Sequence, residues 1–280
     1  MIQLRLLLLL FFFSSYNLQS ISNRQILDNV FAAIDNIETL RFKLKKTERI
    51  EGVLKYGEQD VKFNRKPMKV YTYVVAPHKG VEVLYIDGKN NDDAYINPNA
   101  FPYMNLNFDP YGSVMRKGNH HTVHEVGFDY IYDILKKTDQ ISDTEFDKYF
   151  LYTGDVKLNN RDCYKLEVDY FNYKLVNYTV LANENVTAIA YKLQLSDYFI
   201  LELNKNIEDY DDVKEGDQIV VPNAYAKKTI LYVDKSNNLP IFQAMYDEKG
   251  LFEQYEFLNL LLNPKIAEEE FTRDFKDYGF

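Results

Sequence analysis

The chain has 280 residues and an acidic balance, with 33 Lys and Arg against 42 Asp and Glu and a formal net charge of −9. An acidic chain without a basic stripe repels phosphate backbones, so charge argues against nucleic acid as a partner. Aromatic enrichment, with 24 Tyr and 19 Phe, favours strands over helices. The single cysteine, Cys163, can form neither an internal disulfide nor a cysteine cage for a metal, and we expect it to be buried in a strand.

Residues 1–22 have the pattern of a signal peptide. Arg5 precedes an unbroken apolar run over residues 6–13, and Ser20-Ile21-Ser22 offers small residues for cleavage. The run is shorter than the ~20 apolar residues that span a bilayer. We therefore predict that the protein is exported, that residues 1–22 are removed and that no transmembrane span remains. A buried N-terminal helix or a membrane anchor is the alternative.

A helix and a run of strands follow. Ser22 or Asn23 can cap a helix whose apolar stripe includes Ile26 and Ile34. Residues 40–45 alternate strictly between apolar and cationic side chains, which predicts a strand with one face in water. Further strands are predicted at residues 61–63, 68–75, 81–85, 150–156, 164–170, 229–233, 241–246 and 254–262.

The stretch between residues 90 and 127 is irregular and long for a plain connection, so we interpret it as a functional loop or a covering flap. A second amphipathic helix is predicted over residues 128–135, with Lys136 and Lys137 at its negative pole. Short turns between strands and two amphipathic helices predict a mainly β fold of the α+β class. We expect a curved antiparallel half-barrel whose concave face the helices cover.

One segment, residues 178–222, lacks the alternating pattern that predicts the strands before and after it. Its pattern predicts the order β-α-α-β, with a strand at 178–180, helices at 185–193 and 197–204, and a strand at 219–222. This order resembles the lysin motif (LysM) along the whole segment. The matching positions are Tyr178, Val180, Val186, Ile189, Ala190, Leu195, Ser196, Leu203, Asn204, Val213, Gly216, Ile219, Val221 and Pro222.

The resemblance to the lysin motif implies binding of peptidoglycan or another N-acetylglucosamine glycan in a shallow groove between two loops. The groove residues that it implies are Asn183, Glu184, Asn185, Val186, Ile207, Glu208, Asp209 and Tyr210. Amide and carboxylate groups can form hydrogen bonds with sugar hydroxyls, and an aromatic ring can pack on the face of a sugar. This sequence departs from the family at residues 183–185, where Asn-Glu-Asn replaces the usual Gly-Asp-Thr. The alternative is a module kept as a spacer or as a protein-contact surface.

With residues 177–222 set aside as an inserted domain, we expect the strand at 164–170 to pair with the strand at 229–233. The remaining domain, residues 23–176 plus 223–280, resembles the superfamily of outer-membrane lipoprotein carriers, the LolA-like proteins, and an uncharacterised exported branch of it. The resemblance is carried by residues 229–234, 239–240, 246–250, 255–257 and 278–280 and, for that branch, by 110–113 and a histidine cluster. It implies an incomplete barrel with a helical lid and an apolar interior that can hold acyl chains.

The histidine cluster consists of His120, His121 and His124. Imidazoles near a carboxylate can hold zinc, but the spacing is not His-Glu-x-x-His, because Phe128 stands where the second histidine would be. We interpret the cluster as a polar network between a loop and a helix, and as a candidate pH-sensitive latch on the flap. A metal-dependent hydrolase that uses these histidines is the alternative.

We predict an exported, non-catalytic binding protein of a Gram-negative-type cell envelope, located in the periplasm, with no metal and no cofactor. No nucleophile elbow and no phosphate-binding glycine loop is present in the sequence. The half-barrel would carry a lipid or a lipoprotein acyl chain, and the inserted module would bind peptidoglycan. A structural envelope scaffold without a ligand cavity is the alternative, and an apolar space between the sheet and its helices would favour the carrier.

Overall fold

An antiparallel sheet of 11 strands dominates the computed structural model, which describes residues 21–101, 103–139 and 141–280. The signal peptide predicted at residues 1–22 lies outside the described residues except for Ile21 and Ser22. The strands are β1 (Thr39–Ile50), β2 (Val53–Asn64), β3 (Lys69–Ala76), β4 (Glu82–Ile86), β5 (Ala94–Asn97), β6 (Leu106–Phe108), β7 (Phe150–Leu158), β8 (Arg161–Asp169), β9 (Leu175–Thr179), β10 (Gln218–Pro222), β11 (Lys228–Asp234), β12 (Pro240–Asp247) and β13 (Gly250–Leu262). The helices are α1 (Asn23–Asp35), α2 (Ser113–Arg116), α3 (Asp129–Asp139), α4 (Asp143–Tyr149), α5 (Val186–Leu193) and α6 (Asp197–Leu203).

The sheet has the spatial order β6-β5-β4-β3-β2-β1-β13-β12-β11-β8-β7, and its neighbouring strands are antiparallel. Its edges, β6 and β7, do not pair with each other, so the sheet is open. Register shifts interrupt pairs such as β1–β13 and β12–β13, and bulges of this kind bend and twist strands. The predicted fold class, a mainly β curved antiparallel half-barrel with covering helices, is confirmed.

Alternation along β1 decides which face of the sheet is buried. Leu40 and Phe42 lie in the main core, whereas Arg41 and Lys43 are only half-buried on the opposite face. We call the face that carries Leu40 and Phe42 the inner face. The predicted partnership of residues 164–170 with 229–233 is also confirmed, because β8 and β11 pair with Leu166 opposite Leu231.

Helices α1, α3 and α4 supply the other side of this core. Helix α1 begins after Ser22, whose Oγ accepts a hydrogen bond from the amide of Gln25 at 3.1 Å. Its buried residues, Ile26, Leu27, Val30, Phe31 and Ile34, confirm the predicted amphipathic helix. Helix α3 corresponds to the helix predicted over residues 128–135. The sequence pattern does not predict α4, β5 or β6, and the two strands, with four and three residues, are too short to show a period.

The C-terminal tail after β13 packs on the outer face of the sheet. The rings of Tyr278 and Tyr71 are stacked with their centroids 3.7 Å apart, and the hydroxyl of Tyr278 donates to the carbonyl of Glu270 at 2.6 Å. Gly279 is held so closely that an added Cβ would lie 2.6 Å from Nδ2 of Asn97. The tail therefore lies on the face of the sheet opposite to the main core, since Val70 belongs to that core and its neighbour Tyr71 to the tail contacts.

The segment predicted as β-α-α-β has that order, with β9, α5, α6 and β10 in sequence. We call residues 175–222 the insert. Strands β9 and β10 pair only with each other, and the insert has its own apolar core. Asn185 caps α5 and Ser196 caps α6, each through a side-chain oxygen that accepts a backbone N–H. The buried residues of this core are Val180, Val186, Ile189, Ala190, Leu195, Ile200, Ile207, Ile219 and Val221.

Candidate functional site

A cavity of about 160 Å³ lies between the inner face of the sheet and residues 110–126, which we call the cover segment. The cover segment includes α2 and a short 3₁₀ turn, Val123–Glu125. It belongs to the stretch that the sequence indicates as a flap, and in the structure it packs over strands from the middle of the sheet. The sequence alone left open whether this interior is filled, and the structure shows a space there.

The cavity changes from apolar to polar along β1. The inward side chains of this strand run in the order Phe42, Leu44, Lys46 and Glu48. Strand β13 repeats the change in register, because Phe257 lies opposite Leu44, Tyr255 opposite Lys46, and Glu253 opposite Glu48. Side chains at alternate positions of paired strands share a face, so one end of the cavity is apolar and the other is polar.

The apolar end is lined by aliphatic and aromatic side chains from both walls. Phe257 also stacks on Phe128 with the ring centroids 4.4 Å apart. The lining residues of this end are Phe42, Leu44, Val83, Val126, Ile131 and Phe257. Such a wall excludes water and offers dispersion contacts to a hydrocarbon.

Glu253 is the centre of the polar end, and its side chain is fully buried. Its carboxylate accepts a hydrogen bond from the hydroxyl of Tyr225 at 2.5 Å, and the hydroxyl of Tyr255 lies 3.2 Å from it. Nδ1 of His120 lies 2.8 Å away, and Nε2 of His121 lies 3.3 Å away. A buried carboxylate needs partners of this kind, because an uncompensated charge in the interior is costly.

Glu48 lies directly opposite Glu253 and forms a second buried carboxylate. Nζ of Lys46 donates to Glu48 at 2.7 Å, and the hydroxyl of Tyr255 donates to it at 2.8 Å. The same Nζ donates to Oδ1 of Asn119 at 2.7 Å, which ties β1 to the cover segment. Two like charges on facing positions repel, so the surrounding cations and hydroxyl groups are what hold this pair together.

The charges of the polar end shift one another's pKa values. Burial alone would raise the pKa of Glu253, but His121 and His120 outweigh that effect and hold the pKa well below its ordinary value. Burial would likewise lower the pKa of His121, yet the carboxylates of Glu253 and Glu125 raise it well above its ordinary value. Burial would raise the pKa of Glu48, but Lys46, His120 and His121 together outweigh burial and lower it. The site therefore holds ionised carboxylates beside a protonated His121.

The three histidines of the predicted cluster do not converge on one point. The ring of His120 is stacked between Tyr198 and Phe252, and only His120 and His121 contact Glu253. His124 instead stacks on Tyr111, with the ring centroids 4.8 Å apart, and burial lowers its pKa. Among the described residues, no group of three His, Cys, Asp or Glu side chains is placed to hold a metal ion.

The two loops of the predicted glycan groove are adjacent in the insert. The amide of Val186 donates to the carbonyl of Tyr210 at 2.8 Å, and Nδ2 of Asn185 donates to Asp211 at 2.8 Å. Asn183, Glu208 and Asp209 are exposed at the rim.

Four other groove residues already have contacts inside the protein. Val186 and Ile207 are buried in the insert core, and the carboxylate of Glu184 accepts from Tyr178 and pairs with Lys192. The ring of Tyr210 lies against the guanidinium of Arg116 in the cover segment, 3.8 Å from centroid to carbon. The polar side chains exposed to a ligand are therefore those at the rim, of which Asp209 also accepts a hydrogen bond from the amide of Asp211 at 2.9 Å.

Sequence reasoning missed Glu48, Glu253 and Tyr255 as site residues. A usable signal was present, because Lys46 and Glu48 continue the inward positions of Leu40, Phe42 and Leu44. A charged residue at an inward position of a strand must have a buried partner or a polar cavity beside it. The identity of that partner could not be read from β1 alone, because it lies on a strand near the other end of the chain.

Fold and site together define an open antiparallel half-barrel with a covered cavity that is apolar at one end and charged at the other. The chain belongs to the family described as "Protein of unknown function (DUF1571)", whose model matches residues 37–179. The match runs from just before β1 to the end of β9, so it contains the cover segment and ends where the helices of the insert begin. A search of curated proteins finds no match to the chain.

Several solved structures align with the chain at low identity. The Pseudomonas aeruginosa MucA/MucB complex aligns at 11% identity over 89% of this chain and 60% of that chain, with a TM-score of 0.43. The Mycobacterium tuberculosis lipoprotein LppX aligns at 10% identity over 88% and 100% of the two chains, with a TM-score of 0.41. A LolA superfamily protein from Nitrosomonas europaea aligns at 10% identity over 91% and 100%, with a TM-score of 0.34.

Proposed function

We propose that this protein is an exported cell-envelope binding protein that holds an acyl chain of a lipid or a lipoprotein between the inner face of the sheet and the cover segment. One observation carries the proposal, namely the cavity whose apolar end is formed by Leu44 and Phe257 and whose polar end is formed by Glu48 and Glu253. An amphiphile matches this cavity, because its hydrocarbon chain can contact the apolar end and its polar group can contact the charged end.

The size of the cavity sets what it can hold without rearrangement. Its volume of about 160 Å³ is close to the ~150 Å³ of an engineered apolar cavity that binds benzene. About six carbon atoms would fit, and at ~0.8 kcal/mol for each buried CH₂ group they would contribute about 5 kcal/mol. A longer chain requires the cover segment to move outward, so we expect the liganded protein to be more open.

Export and location are part of the same proposal. The basic, apolar and small-residue pattern of residues 1–22 supports export, and a periplasmic location in a Gram-negative-type envelope would place the cavity between two membranes. None of the helices in the described part of the chain has the length and apolarity needed to cross a bilayer. We propose binding without catalysis, because the carboxylates and histidines of the polar end are engaged with one another and with tyrosine hydroxyls.

The test is binding of dansyl-labelled undecanoic acid to the full mature chain, together with mass spectrometry of lipids that copurify with it. Leu44→Trp places a large ring in the apolar end and should lower the affinity for the probe by tenfold or more. Leu54→Trp, the same change at an exposed position of β2, is the matched control and should bind like the unmodified protein. Equal affinity of both variants, with no copurified lipid, would refute the acyl-binding site.

A second proposal concerns residues 177–222, which we assign as an inserted LysM-like domain that binds N-acetylglucosamine glycans and associates with peptidoglycan. The adjacency of the two groove loops and the exposed Asn183, Glu208 and Asp209 support it. Co-sedimentation with purified peptidoglycan is the measurement. Glu208→Ala should reduce the bound fraction, whereas Glu215→Ala, an exposed carboxylate outside the groove, should not. Absence of co-sedimentation would refute the glycan site.

A further inference from the structure

Arg116 connects the cover segment to the insert. Its side chain is almost fully buried, and Nη1 donates to the hydroxyl of Thr187 at 2.9 Å. Nη2 lies 3.4 Å from the carboxylate of Asp197, and the guanidinium carbon lies 3.8 Å from the ring centroid of Tyr210. All three partners belong to the insert, while Arg116 itself ends α2 beside the cavity lining residue Met115.

A second pair of contacts joins the same two parts of the molecule. The hydroxyl of Tyr191 in α5 donates to Glu125 at 2.9 Å and lies 3.3 Å from the hydroxyl of Tyr111. Glu125 lines the cavity and also accepts the amide of Thr122. The insert therefore contacts both ends of the cover segment, and moving the cover segment outward requires these contacts to break.

The contact between Arg116 and the insert is incomplete. Nε of Arg116 is buried without a hydrogen-bond partner among the described residues, and Nη2 has only the ion-pair contact with Asp197 at 3.4 Å and no hydrogen bond. A buried polar group without a hydrogen bond is costly, so the contact between Arg116 and the insert is weaker than a fully hydrogen-bonded one. A ligand that replaces one of the remaining contacts can therefore break it more easily. A guanidinium stacked on an aromatic ring is displaced when another flat or apolar face takes that ring.

We infer that Arg116 and a saccharide compete for the ring of Tyr210, so that a glycan in the groove of the insert releases the cover segment and opens the acyl cavity. This coupling rests on both sites of the proposed function. A sugar stacking on Tyr210 would use the face that the guanidinium covers. Because coupling between two sites is reciprocal, a bound acyl chain that pushes the cover segment outward would also favour the glycan.

The experiment measures how fast dansyl-labelled undecanoic acid leaves the full mature protein, with and without a saturating tetramer of N-acetylglucosamine. The tetramer should speed both entry and release of the probe, because it favours the outward position of the cover segment, and the expected acceleration of release is about fivefold or more if the opening free energy matches the lower end of common coupling between sites. Arg116→Ala should release the probe quickly without the tetramer, and adding the tetramer should change little. Lys117→Ala, the exposed neighbour, is the matched control and should behave like the unmodified protein.

Thr187→Val is a second test that leaves the sheet untouched, since it removes the hydroxyl that accepts from Arg116 and donates to Asp197 at 3.2 Å, both contacts lying between the cover segment and the insert or within the insert. It should also speed release. Direct titration of the tetramer by calorimetry separates the possible failures. Binding of the tetramer without any change in probe release overturns the coupling and leaves both sites standing. No binding of the tetramer overturns the glycan site and the coupling with it, while the probe affinity still reports on the acyl site.

Discussion

Nε2 of His121 in the cover segment lies 3.3 Å from the carboxylate of Glu253 in β13, and Glu253 is fully buried while His121 is half-buried. Nδ1 of the same ring lies 3.4 Å from Glu125. A protonated His121 thus holds two carboxylates together, one from the sheet and one from the cover segment. We predict that this contact makes the attachment of the cover segment sensitive to pH.

The pH dependence has a definite sign. The pKa of His121 is raised in the folded protein, so its contribution to stability is fully present below about pH 6.5, the ordinary histidine value, and is lost as the pH rises through the folded pKa. We expect the free energy of unfolding to fall by up to about 1.4 kcal/mol per pH unit in that window. Urea unfolding at a series of pH values measures it. His121→Gln should flatten the slope, and exposed His78→Gln should leave it unchanged.

Phe128 is expected to be a major support of the cavity. Its ring is 2% exposed and stacks on Phe257, so Phe128→Ala leaves a hole under the apolar end. Losing a buried phenylalanine costs about 3–5 kcal/mol of the free energy of unfolding. Phe171→Ala is the control, because that ring is 64% exposed and its removal should change stability little. Equal unfolding midpoints for the two variants would contradict this account of the core.

The separate core of the insert predicts separate local stability. Ile189 is fully buried among insert residues, so Ile189→Ala should reduce the hydrogen-exchange protection of amides in α5 and α6. Amides of β12 and β13 should keep their protection. Leu231→Ala, in the main core, should show the reverse pattern. If either substitution lowers protection throughout the chain equally, the insert is not an independent folding unit.

Cys163 should be inert while the protein is folded. Burial raises the pKa of its thiol to about 11, and the thiolate is the reactive form. We expect iodoacetamide at about pH 8, near the pKa of a free thiol, to label the native protein far more slowly than the protein in urea. Mass spectrometry of quenched time points gives both rates. Similar rates in the two conditions would show that β8 opens readily.

Much of the fold follows from local pattern. The alternation in residues 40–45 predicts β1, the oxygen-bearing Ser22 and Ser196 predict helix starts, and the spacing of Val186 and Ile189 predicts the buried side of α5. Each of these patterns depends on side chains only a few positions apart. The short strands β5 and β6 are not predicted from the sequence, because they lie among asparagines and have too few residues to show an alternating pattern.

The candidate site depends on long-range pairing. Local periodicity assigns Glu48 to the inner face of β1, but only the pairing of β1 with β13 brings Glu253 opposite to it. Likewise, nothing near Arg116 in the sequence indicates that Tyr210 will receive its guanidinium. Which side chains of a strand are buried depends on residues close to one another in the sequence. Which residues they contact, across the sheet or between the cover segment and the insert, depends on the lowest free energy of the whole chain. For this reason the sequence could predict the elements and their buried sides, and only the tertiary structure could show the charged end of the cavity and the contacts that close it.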